Sequence, residues 1–374
     1  MSTTRKKVLK TVASVLIFLF LLVTIINFLG PLLRPEGQDF DGWHYFYAED
    51  KNSLNAVMIG SSAIYRYWIP AQAYEEQGFT SCMISQSCQN IKAVPYIMEE
   101  ALKSQDVDLF VVEIRQVVAD LVRNENLTEE KIEKQNYYLS ILTSGMKQSK
   151  TRRKLIHELL IQTEADNELE WQIPLLKYHE NVFEISKNDW IDRFATGKSI
   201  YKGLRVRTTV ASQEKPTIFP DAENATFPLP QKSREYIDDI VKTAEKYGKK
   251  ILFVSTPYIC EEARFPYQCA MNAYMAEKNY PYLNMEEKSV RESVDLDYSI
   301  DFYNPHHVNF AGAEKITSYL AEYMKEHYQF TDKLNEKQKK EWNNAVSAWD
   351  EKEILYRQEW NENCKQAALA EASE

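Results

Sequence analysis

Residues 55–62 read Asn-Ala-Val-Met-Ile-Gly-Ser-Ser, a short apolar run that stops at a glycine and two hydroxyl side chains. Four apolar residues bounded by turn formers read as a buried strand, here Asn55 to Ile59. The same signature recurs at Thr80 to Ile84, at Asp108 to Ile114 (DLFVVEI), at Ile251 to Ser255 (ILFVS) and, shorter, at Tyr282 to Met285. Helix-like stretches separate these runs. Ala93 to Lys103 tolerates Pro95 in its first turn. Residues 233–250 (SREYIDDIVKTAEKYGKK) carry Gly248 near a C-terminal cap, and Cys269 to Lys278 comes next. The helix expected from Gly312 to Tyr328 places Ile316, Tyr319, Leu320, Tyr323 and Met324 on one face. Strands alternating with helices predict an α/β fold, a parallel sheet with helices on both faces in three layers. Residues 120–232 break the alternation with polar, helix-prone sequence and a loop holding Pro216, Pro220, Pro228 and Pro230, so they read as a helical insertion over the sheet. Residues 331–374 read as a charged helical tail whose Trp342, Trp349, Tyr356 and Trp360 pack against the domain or a partner.

Outward toward the N-terminus, residues 11–33 (TVASVLIFLFLLVTIINFLGPLL) contain no charge. A helix rising about 1.5 Å per residue needs roughly 20 apolar residues to cross the hydrocarbon core, and this run suffices. Arg5, Lys6, Lys7 and Lys10 precede it, while Arg34 is followed by Glu36, Asp39 and Asp41. The positive-inside rule then predicts a cytoplasmic N-terminus and an extracytoplasmic main domain. A cleavable signal peptide is the rival reading, but no small-residue cleavage site closes the run. The organisation expected is a basic tip and signal anchor over 1–34, a linker over 35–53, a main α/β domain over 54–330 with the insertion over 120–232, and the tail over 331–374.

The formal charge of −10 divides unevenly, because residues 1–34 hold five basic and no acidic residues and the remainder is net −15. An acidic exported part excludes nucleic acid as a partner on electrostatic grounds. Recognition of an anionic polymer then falls to local groups such as Arg115 or the cluster Lys147, Lys150, Arg152, Arg153 and Lys154, which also reads as a solvated helix end. The five cysteines show no C-x2-C spacing, so no zinc site is expected. Cys82 with Cys88 and Cys260 with Cys269 are close enough in sequence to pair.

Two stretches carry chemistry. The first strand delivers Ser61 and Ser62 to its C-terminal end, the edge at which open α/β sheets bind ligands. Alone, such a pair reads as a helix N-cap. Residues 301–313 (DFYNPHHVNFAGA) then place two histidines in a loop before the last core helix, and a loop histidine with a pKa near 6.5 suits base catalysis.

The order and position of these two blocks resemble the SGNH (GDSL) hydrolase superfamily, in particular its membrane-anchored bacterial branch that includes D-alanine transfer and alginate acetylation proteins. The resemblance spans roughly residues 54–328 and includes WQIPLLKYHENVFEISKNDWIDRF (171–194) and YKGLRV (201–206). It implies a flavodoxin-like three-layer sheet, Ser62 as nucleophile and His307 as base. The family acid stands three residues before the histidine, where this chain has Asn304, and Asp301 lies six before it. Either Asp301 substitutes, or a Ser–His dyad operates, or activity is lost. The family's second-block glycine and third-block asparagine are not evident, so Ser85, Gln89, Arg115 and Asn309 are the candidates for binding an oxyanion or substrate. The alternative for Arg115 is a salt bridge to Glu113. His306 lacks the family register, and His179 matches a family position that is equally consistent with a structural role. The resemblance further implies an ester hydrolase or O-acyltransferase without metal or organic cofactor, acting on acyl esters of cell-envelope polysaccharide. The expected partners are that polymer, an acyl donor and a membrane-bound acyltransferase. The competing reading is a catalytically inactive envelope protein that binds glycan or organises a modification complex.

Overall fold

The computed structural model describes residues 3–34, 42–123, 128–163, 167–186 and 198–371. Five strands, β1 (Ala56–Gly60), β2 (Ser81–Ser85), β3 (Leu109–Glu113), β4 (Lys250–Ser255) and β5 (Tyr282–Asn284), form one parallel sheet in the order β2-β1-β3-β4-β5. Each matches an expected run to within a residue or two. Strand order reverses between β1 and β3, which opens a crevice at their C-terminal ends.

Side-chain alternation assigns the two faces. Val57 and Ile59 join Phe110, Val112 and Phe253 in one core, and Ala56 and Met58 join Leu109, Val111, Leu252 and Val254 in the other. The first core is covered by α5 (Val94–Ala101), α11 (Gln231–Lys246) and α12 (Phe265–Lys278). The second lies under α4 (Pro70–Gln77), α13 (Lys288–Val294), α14 (Phe310–His327) and the long α15 (Glu336–Glu371). Because both faces are covered, strand residues are apolar on both sides, which is why the runs read as continuous rather than alternating.

Between β3 and β4 come α6 (Arg115–Arg123), α7 (Glu129–Ser144), α8 (Lys150–Thr163), α9 (Glu168–Gln172) and α10 (Pro174–Lys177). Leu155, Ile156, Leu159 and Leu160 of α8 extend the first core. Arg152, from the basic cluster, is buried and donates to the carbonyls of Thr143, Trp171 and Gln172, so it closes helix ends rather than facing solvent. Residues 202–213 then run across the domain, bonded in turn to three separate segments. Lys202 O accepts from Met83 N, Arg205 N donates to Tyr65 O, and Ala211 N donates to Phe302 O.

Helix α1 (Thr3–Leu33) contains the 26-residue candidate span Arg5–Gly30, whose most apolar stretch is not buried in the protein. It is long and apolar enough to cross a membrane. Its end does dock: Leu32 and Leu33 are buried, Gly30 lies against Pro174, and Asn181 Nδ2 donates to Leu33 O at 2.8 Å. The acidic residues Glu36, Asp39 and Asp41, and residues 187–194 of the expected middle block, lie outside the described residues.

Two expectations are corrected. Residues 42–53, read as linker, belong to the folded body: α2 (Gly42–Tyr47) buries Trp43 and Phe46, and Trp43 Nε1 donates to Leu142 O at 2.8 Å. The aromatic residues were the signal, since exposed linkers rarely carry four in five. All five cysteines are free thiols. Cys82 is locked in β2 with its thiol toward Lys202 O, while Cys88 sits in the following turn with φ at 49°, so the pair that is close in sequence is held apart by the strand. The tail aromatics pack on the domain, with Trp349 buried in the second core, Trp360 Nε1 donating to Ile300 O and Tyr356 hydroxyl bonding that of Tyr201.

Candidate active site

The site forms where β1 ends. Gly60 has no room for a side chain, because a Cβ there would come within 2.7 Å of Ile64 Cγ1 and 2.8 Å of Glu113 Cβ. That close approach lets the chain turn at once into α3 (Ser62–Tyr65), with Ser61 as its extended N-cap. Ser61 makes no side-chain capping bond, and Ser62 is the first helical residue rather than the cap. Its hydroxyl is therefore available, and its N–H lies in the first turn, where helical N–H groups have no intrahelical acceptor.

His307 arrives on a small antiparallel hairpin, β6 (Phe302–Asn304) and β7 (His307–Val308), in which Asn304 pairs with His307 across a Pro305-His306 turn. The start of the next helix seats the hairpin. Asn309 caps α14 by accepting from Ala311 N and Gly312 N, while its Nδ2 donates to the carbonyls of Ile300, Phe302 and Thr209. Gly312 is required by the same packing, since a Cβ there would meet Asp301 O at 2.6 Å and Val308 Cβ at 2.7 Å.

These two units meet. Ser62 Oγ and His307 Nε2 are 2.7 Å apart, and His307 Nδ1 lies 3.0 Å from Asn304 Oδ1. Asn304 Oδ1 also accepts from His306 N at 2.9 Å, which fixes that atom as the oxygen of the amide. Nδ1 must then carry the proton, and Nε2 offers its lone pair to the Ser62 hydroxyl. Tyr303 stacks on the imidazole at 5.4 Å, and Tyr67 meets it edge-on at 6.5 Å. Burial, with the charges of Arg115 and Arg66 and the neighbouring His306, lowers the His307 pKa from 6.5 to about 3. The ring is neutral at neutral pH, and among the described residues no carboxylate lies beside it.

The remaining candidates divide clearly. Asp301 is not brought to His307: its buried carboxylate takes Lys315 Nζ at 2.7 Å and Asp297 N at 2.7 Å, so it anchors the loop to α14. Asn309 has both ends of its amide bonded to backbone and is a cap rather than a substrate group. Arg115 is also committed. Its Nε bonds Glu113 Oε1 at 3.1 Å, its guanidinium lies over Tyr258 and Tyr67, and its terminal nitrogens point to His306 O. Arg115 thus holds the hairpin's turn in place instead of facing a substrate. Ser85 closes β2 opposite Gly60 and is buried. Gln89 is buried, and neither end of its amide bonds a described residue. His306 Nε2 faces Glu261 Oε1 at 3.2 Å, away from Ser62, and His179 Nδ1 takes the carbonyl of Leu176 within its own turn. Among the described residues no cluster of metal-ligand side chains occurs.

Residues that the sequence did not single out adjoin the pair. Tyr303 and Arg66 lie beside it, with the Arg66 guanidinium 5.7 Å from the Tyr303 ring centre and 5.1 Å from that of Tyr65, while Arg205 lies 4.1 Å over that same Tyr65 ring and the Arg207 carbonyl accepts from Phe310 N. Arg66 follows Ser62 by four positions, a spacing that puts both on one side of a helical turn and was the available signal. Nothing in the spacing of Arg205 or Arg207 foretold their place. Compared with protein-family models and with curated proteins, the chain matches none.

Proposed function

We propose that the protein is a membrane-anchored, SGNH-like serine esterase or O-acyltransferase whose main domain lies outside the cytoplasm. The observation that carries this reading is the contact between Ser62 Oγ and His307 Nε2, oriented by Asn304 on the opposite ring nitrogen. Ser62 and His307 lie 245 residues apart in sequence. The rest of the site supports the same reading: a serine at a sheet's C-terminal edge, a histidine in the right tautomer, and first-turn N–H groups beside the hydroxyl.

The chemistry proceeds from those positions. Ser62 Oγ attacks the acyl carbonyl while His307 Nε2 takes its proton, and the resulting oxyanion is stabilised by the N–H groups of Ser62 and Ala63. Collapse expels the leaving alcohol, which receives the proton from Nε2. Water or a glycan hydroxyl then attacks the acyl-enzyme with His307 again as base, releasing an acid or a new ester and restoring Ser62. Asn304 holds the tautomer but adds no negative charge, so the imidazolium is less stabilised than beside a buried aspartate. The substrates this reading favours are acyl esters of envelope polysaccharide, and the apolar helix α1 supplies the tether.

A serine-directed fluorophosphonate probe tests it on the full chain in detergent. Labelling of wild type that disappears in Ser62→Ala and falls by at least about 10³ in His307→Ala is expected. Labelling that survives in Ser62→Ala removes the nucleophile. The absence of labelling in wild type favours the second reading, a glycan-binding protein on the same fold, for which the missing carboxylate at position 304 is the supporting observation.

A further inference from the structure

Resting on the membrane anchor of the proposed function, with α1 as the span, we propose that the surface formed by Leu176, Val182 and Phe183 inserts into the lipid headgroup layer on the domain's side of the bilayer, as a second membrane contact beside α1. Burial along α1 marks where the span ends. Every side chain from Arg5 to Ile25 is exposed, Ile26 and Leu29 are half-buried, and Gly30, Leu32 and Leu33 are buried in the domain. From Thr11, the first residue past the basic tip, to Leu29, a helix rising 1.5 Å per residue covers about 28 Å, close to the thickness of a hydrocarbon core. Leu33 then lies about 6 Å farther along, inside a headgroup layer that is roughly 5–7 Å deep on each side.

That depth is shared by the segment that grips the end of α1. Gly30 lies against Pro174 at the start of α10, and Asn181, in the single turn of 3-10 helix His179–Phe183, donates from Nδ2 to Leu33 O at 2.8 Å. Val182 and Phe183 follow Asn181 directly, and Leu176 stands two residues after Pro174. All three are open to solvent, Phe183 at 93% of its surface, Val182 at 50% and Leu176 at 43%. Moving such a ring out of water is favourable, and an exposed apolar group of this size marks an interaction surface when others adjoin it. Trp171, Lys177 and Tyr178, residue types that collect at membrane interfaces, lie in the same segment, with the Lys177 ammonium 3.0 Å over the Trp171 ring. Glu180 and Glu184 flank the apolar residues, so the contact is driven by apolar transfer and not by attraction to anionic lipid. With the end of α1 docked in the domain, a second contact fixes the domain's tilt, and with it the height of the Ser62 edge above the bilayer.

The test uses the full chain in nanodiscs of neutral phosphatidylcholine, either plain or carrying bromine at shallow and deep positions of the acyl chains, with tryptophan emission as the readout. Phe183→Trp puts an indole at the proposed contact and Phe20→Trp puts one in mid-span; both replace exposed rings, so the packing of the domain is kept. After subtraction of wild-type emission, the added indole of each variant is expected to lose about half or more of its intensity in the brominated discs. Quenching of Phe20→Trp without quenching of Phe183→Trp overturns the proposal and leaves the anchor standing, the apolar surface then being free for a protein partner. Absence of quenching in both removes the anchor and the proposal with it. Iodide in the aqueous phase gives the converse reading: weak quenching of Phe183→Trp in discs supports insertion, and quenching as strong as that of free tryptophan overturns it. None of these readouts depends on Ser62 or His307, so the esterase reading stands or falls separately by fluorophosphonate labelling.

Discussion

Replacing Asn304 by aspartate changes one group at the site by a single charge and almost no volume. The two N–H groups that now meet Asn304 Oδ1, from His306 and from His307 Nδ1, are placed to meet a carboxylate oxygen equally well. Taking the imidazolium and carboxylate charges as about 4 Å apart at an effective dielectric near 20, Coulomb's law gives roughly 4 kcal/mol. That corresponds to about three pKa units. His307 would move from about 3 to about 6. If most of that energy is felt where the proton transfers, the rate rises by about 10² to 10³. The assay is the second-order rate of Ser62 labelling by a neutral fluorophosphonate, from about pH 4 to about pH 9. Wild type is expected to be slow and nearly flat over that range. The Asn304→Asp variant is expected to show a rising limb centred near pH 6 and a higher plateau. A wild-type limb near pH 6.5, or a variant that is no faster and equally flat, refutes the reasoning that the missing charge limits the base.

The other predictions concern stability and the site's supports. Because His307 has a folded pKa below its unfolded one, the unfolded chain binds the extra proton between them. Stability should therefore rise with pH from about 3 to about 6.5, by up to roughly 1.4 kcal/mol per unit; in urea titrations His307→Gln should flatten that slope, and an unchanged slope would contradict the buried neutral ring. Gly312→Ala drives a methyl into Asp301 O and Val308 and should lower stability by about 1–3 kcal/mol, measured by thermal melting, with labelling lost alongside. Gly60→Ala crowds Ile64 and Glu113 at the base of α3 and should slow Ser62 labelling even where the melting temperature is little changed. Asn309→Ala should cost about 1–2 kcal/mol as a lost cap; a variant of wild-type stability that has lost only ligand binding would instead make Asn309 a substrate group.

Much of this molecule is legible along the chain because its determinants are local. The five strands are apolar runs closed by turn formers, and full burial on both faces makes such runs hard to mistake. The helices from Gln231 and from Phe310 track their periodic faces closely. Ser62 and His307 were nameable because each sits at a boundary: the end of the first strand, and the loop before the last core helix. The linker reading of residues 42–53 failed because burial of Trp43 and Phe46 depends on β2 and on α7, whose Leu142 carbonyl accepts from Trp43 Nε1 across nearly a hundred residues. The suggested disulfides failed for a related reason: Cys82 is fixed in a strand and Cys269 in a helix, so nearness in sequence did not bring their thiols to Cys88 and Cys260.

What the sequence by itself determined is the membrane-length apolar helix, the α/β alternation, and a serine and a histidine at two element boundaries. Those depend on composition and period over a few turns of chain. Only the tertiary structure decided which groups share space: that Asn304 and not Asp301 orients His307, that Arg115 and Asn309 are consumed in holding the hairpin, and that Tyr303 and Arg66 lie beside the pair. The reason is physical. A side chain's charge and hydrogen-bonding capacity are written in its residue type, but whether they are spent internally or left for a ligand depends on partners brought together by the crossing of distant segments. Here the chain at 202–213 passes between the edge of β2 and the His307 hairpin, and no local pattern records that path.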